Sequence, residues 1–431
     1  MIADRFLARP ALARAGSSAA ARPLLLTPAV IGFYLSFRTI IVLIVVRLFV
    51  VEPQVGAATS LAIDFLLLVV VAFQSFGQSV QSIRSMMQRP VSRWVALYLA
   101  YAGCSFAWSG AVSLPTSFLY WCGVVADVAL VVLMLRGEQI EDVAHSLMKG
   151  FIASTCLLAV VAWLMPSQDD LRLGDPEFFN TNQIGNLCAF AVLLAQYLVS
   201  RRDGRWGVPA AFLTLTVVRS LSKTTLVAFL LSEALFLLRD KAMSRRVKAL
   251  IFAAVLIAGL SFWGLYESYY DVYTNAGNQA ETLTGRTAIW AYALTAAMEK
   301  PWFGNGFDAL WKVMPPFGPD QFEARHAENE LLQQFFAYGI VGVCMLVGIY
   351  GSFYRGIRKL PRETPRLVLT TLLLFIGIRG FAEAEPFDLL LPLWAVVLFS
   401  ALVALPSDHS SQSTQSIEGT PSLRPARSGA L

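Results

Sequence analysis

Charged side chains are scarce in this sequence, at 15% of its 431 residues against 56% hydrophobic. A soluble domain carries nearer a quarter charged, so this composition excludes an ordinary soluble globule. Cysteine is also sparse: Cys104, Cys122, Cys156, Cys188 and Cys344 are the five, each inside an apolar run, with no CxxC and no Cys/His cluster. That argues against a disulfide framework and against a metal centre, and no cofactor is expected. No internal repeat relates one half to the other, which weakens a transporter built from inverted repeats. Long polar segments between apolar runs are missing as well, with one exception at about 266–330.

What is present is a series of apolar blocks of roughly 15 to 22 residues, the length that crosses a hydrocarbon core as a helix. Spans are expected at 27–50, 59–77, 94–110, 117–135, 150–166, 184–200, 206–219, 224–238, 248–265, 331–352, 367–380 and 387–405. The fold class is therefore all-α, a polytopic helical bundle. The stretch Trp206 to Leu238 holds two short runs around Arg219, Ser220, Leu221, Ser222, Lys223 and Thr224, so a re-entrant pair competes with two full spans there and the range is ten to twelve. Residues 1–26 and 407–431 read as disordered tails flanking a transmembrane unit at 27–406. The basic N-terminus precedes a run interrupted by Arg38 and reads as a retained first span, not a signal peptide.

The net charge of +5 would suggest nucleic acid in a soluble protein, but here position decides, and no nucleic-acid partner is expected. Numbering the gaps alternately puts about 24 of the 34 Lys and Arg on one side and about 8 on the other. Both termini are thereby expected in the cytoplasm, and the 266–330 loop on the opposite face of the membrane. Arg38, Arg47, Asp64 and Asp127 fall inside spans, where ionisable groups pair or line a cavity; Arg47 near an interface has snorkelling as its alternative.

The long loop carries Trp290, Trp302 and Trp311 and reads as short amphipathic helices broken by Gly and Pro. Thr284 is placed as the cap of a helix over Arg286 to Glu299, with Pro301 and Gly304 closing it. Arg286 then stands in the first turn, where the helix dipole disfavours a cation; with the free amides it would form a phosphate site, or else it snorkels to headgroups. Asp320 and Glu323 form a capping pattern for a helix running through His326 to Glu330 into the next span. On such a helix His326 and Glu328 point to nearly opposite faces and cannot share a site unless the helix starts late. Sugar transfer needs a group to take a proton from the acceptor hydroxyl, and His or Glu can serve; a structural histidine is the plain alternative.

These residues carry a family resemblance. Gly285, Arg286 and Thr287 with Trp290, then Lys300 to Phe307, then His326 to Leu332 followed by Gly339 and Gly342, resemble motifs of the O-antigen ligase and Wzy-type polysaccharide polymerase family. Ser222 to Thr224 looks like its Ser-Lys/Arg patch and Asn180 to Gly185 like its polar entry to a middle span. The resemblance covers about 175–400, strongest over 284–342. It implies a C-type glycosyltransferase-like bundle with a large helical periplasmic loop, and an undecaprenyl-diphosphate-linked glycan as donor. The acceptor would be another glycan or lipid A core, and a flippase and a chain-length regulator would be its partners. Arg286 would hold the diphosphate.

Where the family often has His directly before the Asn of its last motif, Glu328 stands here and His326 lies two residues earlier, which leaves the base open between them. Arg219 and Lys223 suit a phosphate or a headgroup; Asn329 and Arg379 are further substrate-binding candidates. Arg379, Glu383 and Glu385 line an acceptor path or form a solvated loop of mixed charge. The reading is a metal-independent, inverting membrane glycosyltransferase, an exopolysaccharide or O-antigen polymerase in preference to a ligase. Its rivals from other classes are a polysaccharide flippase and a scaffold without chemistry.

Overall fold

The computed structural model describes residues 26–76, 84, 86–136, 140–168, 171–175, 179–201, 203–241, 243–275, 283–316, 323–361 and 363–405. The two tails and Asp320 lie outside the described residues. In chain order the helices are α1 (Pro28–Phe49), α2 (Pro53–Gln74), α3 (Pro90–Cys104), α4 (Leu114–Met134), α5 (Ile140–Leu164), α6 (Thr181–Ser200), α7 (Gly207–Arg219) and α8 (Lys223–Arg239). Then come α9 (Arg245–Ser261), α10 (Trp263–Asn275), α11 (Leu283–Glu299), α12 (Leu310–Val313), α13 (Glu330–Lys359), α14 (Thr364–Arg379) and α15 (Leu393–Val403). No strand occurs among the described residues. The chain is an all-α, multi-pass membrane protein: α1, α2, α4, α5, α6 and α13 are each long and apolar enough to cross a bilayer.

Local chemistry sets the helix starts. Proline opens α1, α2 and α3 at a position whose N–H needs no partner. Asn180 accepts from the amide of Gln183 at 2.9 Å and Asn329 from that of Leu332 at 3.0 Å, each satisfying one amide of the first turn. Every expected apolar block falls on a helix. In the doubtful stretch, α7 and α8 are separated by Ser220, Leu221 and Ser222, with Leu221 at φ 60°. The Thr181 hydroxyl, at the start of α6, donates to the Ser220 carbonyl. Past the other end of α6, Asp203 holds Lys149 at 2.8 Å. Helix α7 thus returns along α6, and α8 runs beside it, where Gln196 of α6 donates to Glu233 at 2.7 Å.

Both arginines expected inside α1 are paired. Arg38 of α1 meets Asp127 of α4 at 2.5 Å, and Arg47 binds Asp175 at 2.6 Å instead of simply snorkelling.

Two expected helix starts are corrected. Helix α11 already includes Leu283, so Thr284 is inside it and not its cap; Arg286 remains near its first turn. The helix expected to run from Asp320 through His326 instead begins at Glu330, and residues 323–329 are irregular. Four bonds hold that segment off the helix: Asn329 caps Leu332, Gln333 accepts from the Ala327 amide at 2.8 Å, the Glu330 amide donates to the Gly380 carbonyl at 2.9 Å, and Trp290 Nε1 donates to the Glu328 carbonyl at 3.2 Å.

Helix α13 breaks at Gly339 (φ 63°, ψ −155°), a conformation essentially confined to glycine. The break frees carbonyls that the loop uses: the amides of Asn305 and Gly306 donate to Phe336 and Ala337 at 2.9 and 2.8 Å, and Ile340 donates back to Pro301 at 2.8 Å. The Pro301–Phe307 turn therefore plugs into the kink. A Cβ on Gly339 would lie 2.4 Å from the Trp302 carbonyl carbon, and one on Gly304 2.5 Å from Ala337. This junction, with Ile289, Ala293 and Ala297 of α11 buried in one cluster with Phe336, fixes the loop to the bundle.

Candidate active site

The loop and the bundle together enclose a cavity of about 940 Å³. Lys223, Arg286, His326, Glu328, Arg379 and Glu383 all line it. They come from five places in the chain: the start of α8, the start of α11, the irregular segment before α13, the end of α14 and the loop after it.

Glu383 is the hub. Its Oε1 accepts from Arg286 Nη2 at 3.1 Å, Asn182 Nδ2 at 3.1 Å and Thr224 Oγ1 at 3.0 Å, while Oε2 lies 3.9 Å from Arg379 Nη2. Ser222 Oγ donates to Asn182 Oδ1 at 2.9 Å, tying the start of α8 to that of α6. Arg379 and Glu383 are 3% and 4% exposed. The solvated mixed-charge loop is thereby excluded, because two such groups stay buried only when they are paired.

Arg286 also meets Glu328 Oε2 at 3.3 Å, and His326 Nδ1 stands 3.7 Å from Glu328 Oε1. The late start of α13 makes this meeting possible: on a continuous helix the two side chains would diverge. Arg286 and Trp290 are one turn apart on α11, and they grip the same residue, one by its carboxylate and the other by its carbonyl. Glu328 is held at φ 49°, a conformation costly for a residue with a side chain and one that collects at functional sites. Burial pushes its carboxyl above the usual range; His326 opposes the shift, Glu383 adds to it, and Arg286 and Arg379 oppose it. Burial likewise raises Glu385, with Arg379 opposing.

Two sequence candidates sit apart from this cluster. Arg219 turns to the Leu171 carbonyl at 3.1 Å and to Ser167 Oγ at 3.4 Å, bracing the 167–182 loop. Asn329 spends its side chain on the α13 cap and on the Phe381 carbonyl at 3.0 Å, so it shapes the site from behind. Glu383 was the residue hardest to single out. Its signal lay in Phe381, Ala382 and Ala384 around it, apolar neighbours unlike those of a solvated loop.

Such a cavity offers an anion cationic partners and offers a hydroxyl an imidazole beside a carboxylate, the requirements of transfer from a phosphate leaving group. Over 322 residues, 68% of this chain and 72% of the relative, the sequence is 23% identical to the exopolysaccharide production protein ExoQ of Rhizobium meliloti (strain 1021). Over 143 residues it is 32% identical to the O-antigen ligase of Pseudomonas aeruginosa (strain PAO1), a stretch that is 33% of each chain. Residues 208–347, which run from α7 through the loop into α13 and include Arg286, His326 and Glu328, match the O-antigen ligase family model.

Proposed function

We propose that this protein is a membrane glycosyltransferase that polymerises undecaprenyl-diphosphate-linked oligosaccharides into an exopolysaccharide or O-antigen on the periplasmic face. The observation that carries the reading is the convergence of Arg286, Glu328 and His326 on one cavity. In the proposed step the acceptor oxygen attacks the anomeric carbon as its proton passes to His326. The bond from that carbon to the diphosphate breaks, and its electron pair leaves with the diphosphate, inverting the centre. Arg286, with Lys223 and Arg379 nearby, stabilises the departing charge, so the transfer needs no metal.

The Glu328 carboxylate is engaged by the Arg286 guanidinium at 3.3 Å, so proton transfer is assigned to His326, with Glu328 lying 3.7 Å from Nδ1 to favour the imidazolium that forms. The long match to an exopolysaccharide production protein supports an exopolysaccharide as the product. The higher identity to an O-antigen ligase, over a shorter stretch of 143 residues, supports a second reading, delivery of the glycan to lipid A core.

Lipid-linked intermediates in a deletion strain test both. Single repeat units accumulating outside support the polymerase, undelivered long chains the ligase, and units trapped inside would replace both with a flippase.

A further inference from the structure

The same cavity has a second group of side chains that the diphosphate chemistry does not use. Asp308, Tyr120, Trp311 and Phe387 line it, with Glu323 and Arg325 beside them. Tyr120 stacks on Phe387 with ring centroids 4.2 Å apart, and Phe307 stacks behind Phe387 at 5.9 Å. Trp311 is fixed on both counts that matter for a platform: its Nε1 donates to Glu323 at 2.5 Å, and the Arg325 guanidinium lies 4.6 Å from its ring centroid.

Asp308 is held at φ 56° by its place after the plugged turn. Among the described residues, Ser117 is the donor recorded to its carboxylate, reaching Oδ2 at 2.7 Å and leaving Oδ1 for a ligand. Burial raises this carboxyl, against the Ser117 bond and Arg325. Rigid aromatic faces beside a carboxylate acceptor match a pyranose, which presents apolar C–H patches and hydroxyl donors. They do not match a diphosphate, which Asp308 and Glu323 would repel.

We infer that Asp308, Tyr120, Trp311 and Phe387 form a sugar subsite of the cavity, holding one ring of a glycan substrate while the Arg286 group holds the diphosphate. The assignment rests on the proposed glycosyl transfer. It divides the cavity by charge: the phosphate is drawn to Arg286 and Lys223, and a sugar ring settles where carboxylates accept its hydroxyls.

The test uses the full chain in nanodiscs and two probes. One is the phosphate-free oligosaccharide released by mild acid from the cells' own lipid-linked repeat units; the other is undecaprenyl diphosphate. Asp308→Asn, which tolerates the left-handed backbone, and Trp311→Ala should each weaken oligosaccharide binding about tenfold or more and leave undecaprenyl diphosphate binding unchanged. Trp311→Phe should restore most of the loss. Arg286→Ala should show the reverse pattern.

Unchanged oligosaccharide affinity in both Asp308→Asn and Trp311→Ala overturns the subsite while leaving the transferase reading intact. So does an oligosaccharide that fails to bind the unaltered protein when undecaprenyl diphosphate binds. Undecaprenyl diphosphate binding that survives Arg286→Ala overturns the diphosphate assignment instead. In turnover with both substrates, a higher KM for added oligosaccharide assigns the ring to the acceptor, and a higher KM for the lipid-linked donor assigns it to the donor; either supports the subsite.

Discussion

Glu328 serves two masters, since its carboxylate lies between the guanidinium of Arg286 and the imidazole of His326. Its raised pKa has a sign that can be worked through. When Glu328 is protonated it loosens its hold on Arg286, which Glu383 still contacts, and removes a negative charge from the cavity, so an anionic donor binds better. As pH rises through the raised value the carboxylate ionises and recaptures Arg286. Undecaprenyl diphosphate affinity should therefore fall as pH rises, and Glu328→Gln should flatten that dependence; equal slopes would remove Glu328 from donor binding. His326→Ala should lower turnover by about a hundredfold or more while donor affinity holds, as loss of a general base does. If His326→Ala turns over normally and Glu328→Gln does not, the base is Glu328. Glu383 has a different task. Truncation to Ala strands the buried Arg379, a change that costs about 3–5 kcal/mol, so Glu383→Ala should melt early in detergent, whereas Glu383→Gln, which keeps a side-chain oxygen for Asn182 and Thr224, should melt later than Ala.

Among the elements, the kink in α13 governs the site because the Pro301–Phe307 turn is bonded into it. Gly339→Ala forces a side chain into a glycine conformation, at about 1–3 kcal/mol before the clash with Trp302 is counted. It should speed amide exchange at Asn305 and Gly306 and lower the melting temperature; wild-type exchange there would show that the kink does not anchor the loop. This junction was barely visible in the sequence, where Gly339 sits in a long apolar run with no local stop signal, because the helix is broken by a partner about thirty residues away in the chain. The start of α13 failed for a related reason. Asp320 and Glu323 form a capping pattern in the sequence, but Asn329 caps the helix, and tertiary bonds from Trp290, Gln333 and Gly380 hold the preceding residues off it. Arg286 and the twelve apolar blocks were legible because periodicity and a charge in a first turn are local facts. The pairing of His326 with Glu328 was legible only as a condition, that the helix start late.

For the whole molecule, the separation of charge orients the account. Arg201, Arg245, Arg355, Arg358 and Arg366 lie in gaps of one parity, while Arg286, Lys223 and Arg379 face the cavity at the other. With the basic end in the cytoplasm, a cysteine at Arg325 should react with an impermeant maleimide in cells whose inner membrane is intact, and one at Lys241 should not. The reverse labelling would put the cavity on the wrong side for a periplasmic polymerase. The most direct test of the central claim is glycan extension by the purified chain in liposomes supplied with the lipid-linked repeat unit. The unaltered protein should build longer glycans and release undecaprenyl diphosphate, with Arg286→Ala slower by about a hundred- to a thousandfold at equal protein abundance. Extension by Arg286→Ala at the unaltered rate would contradict it.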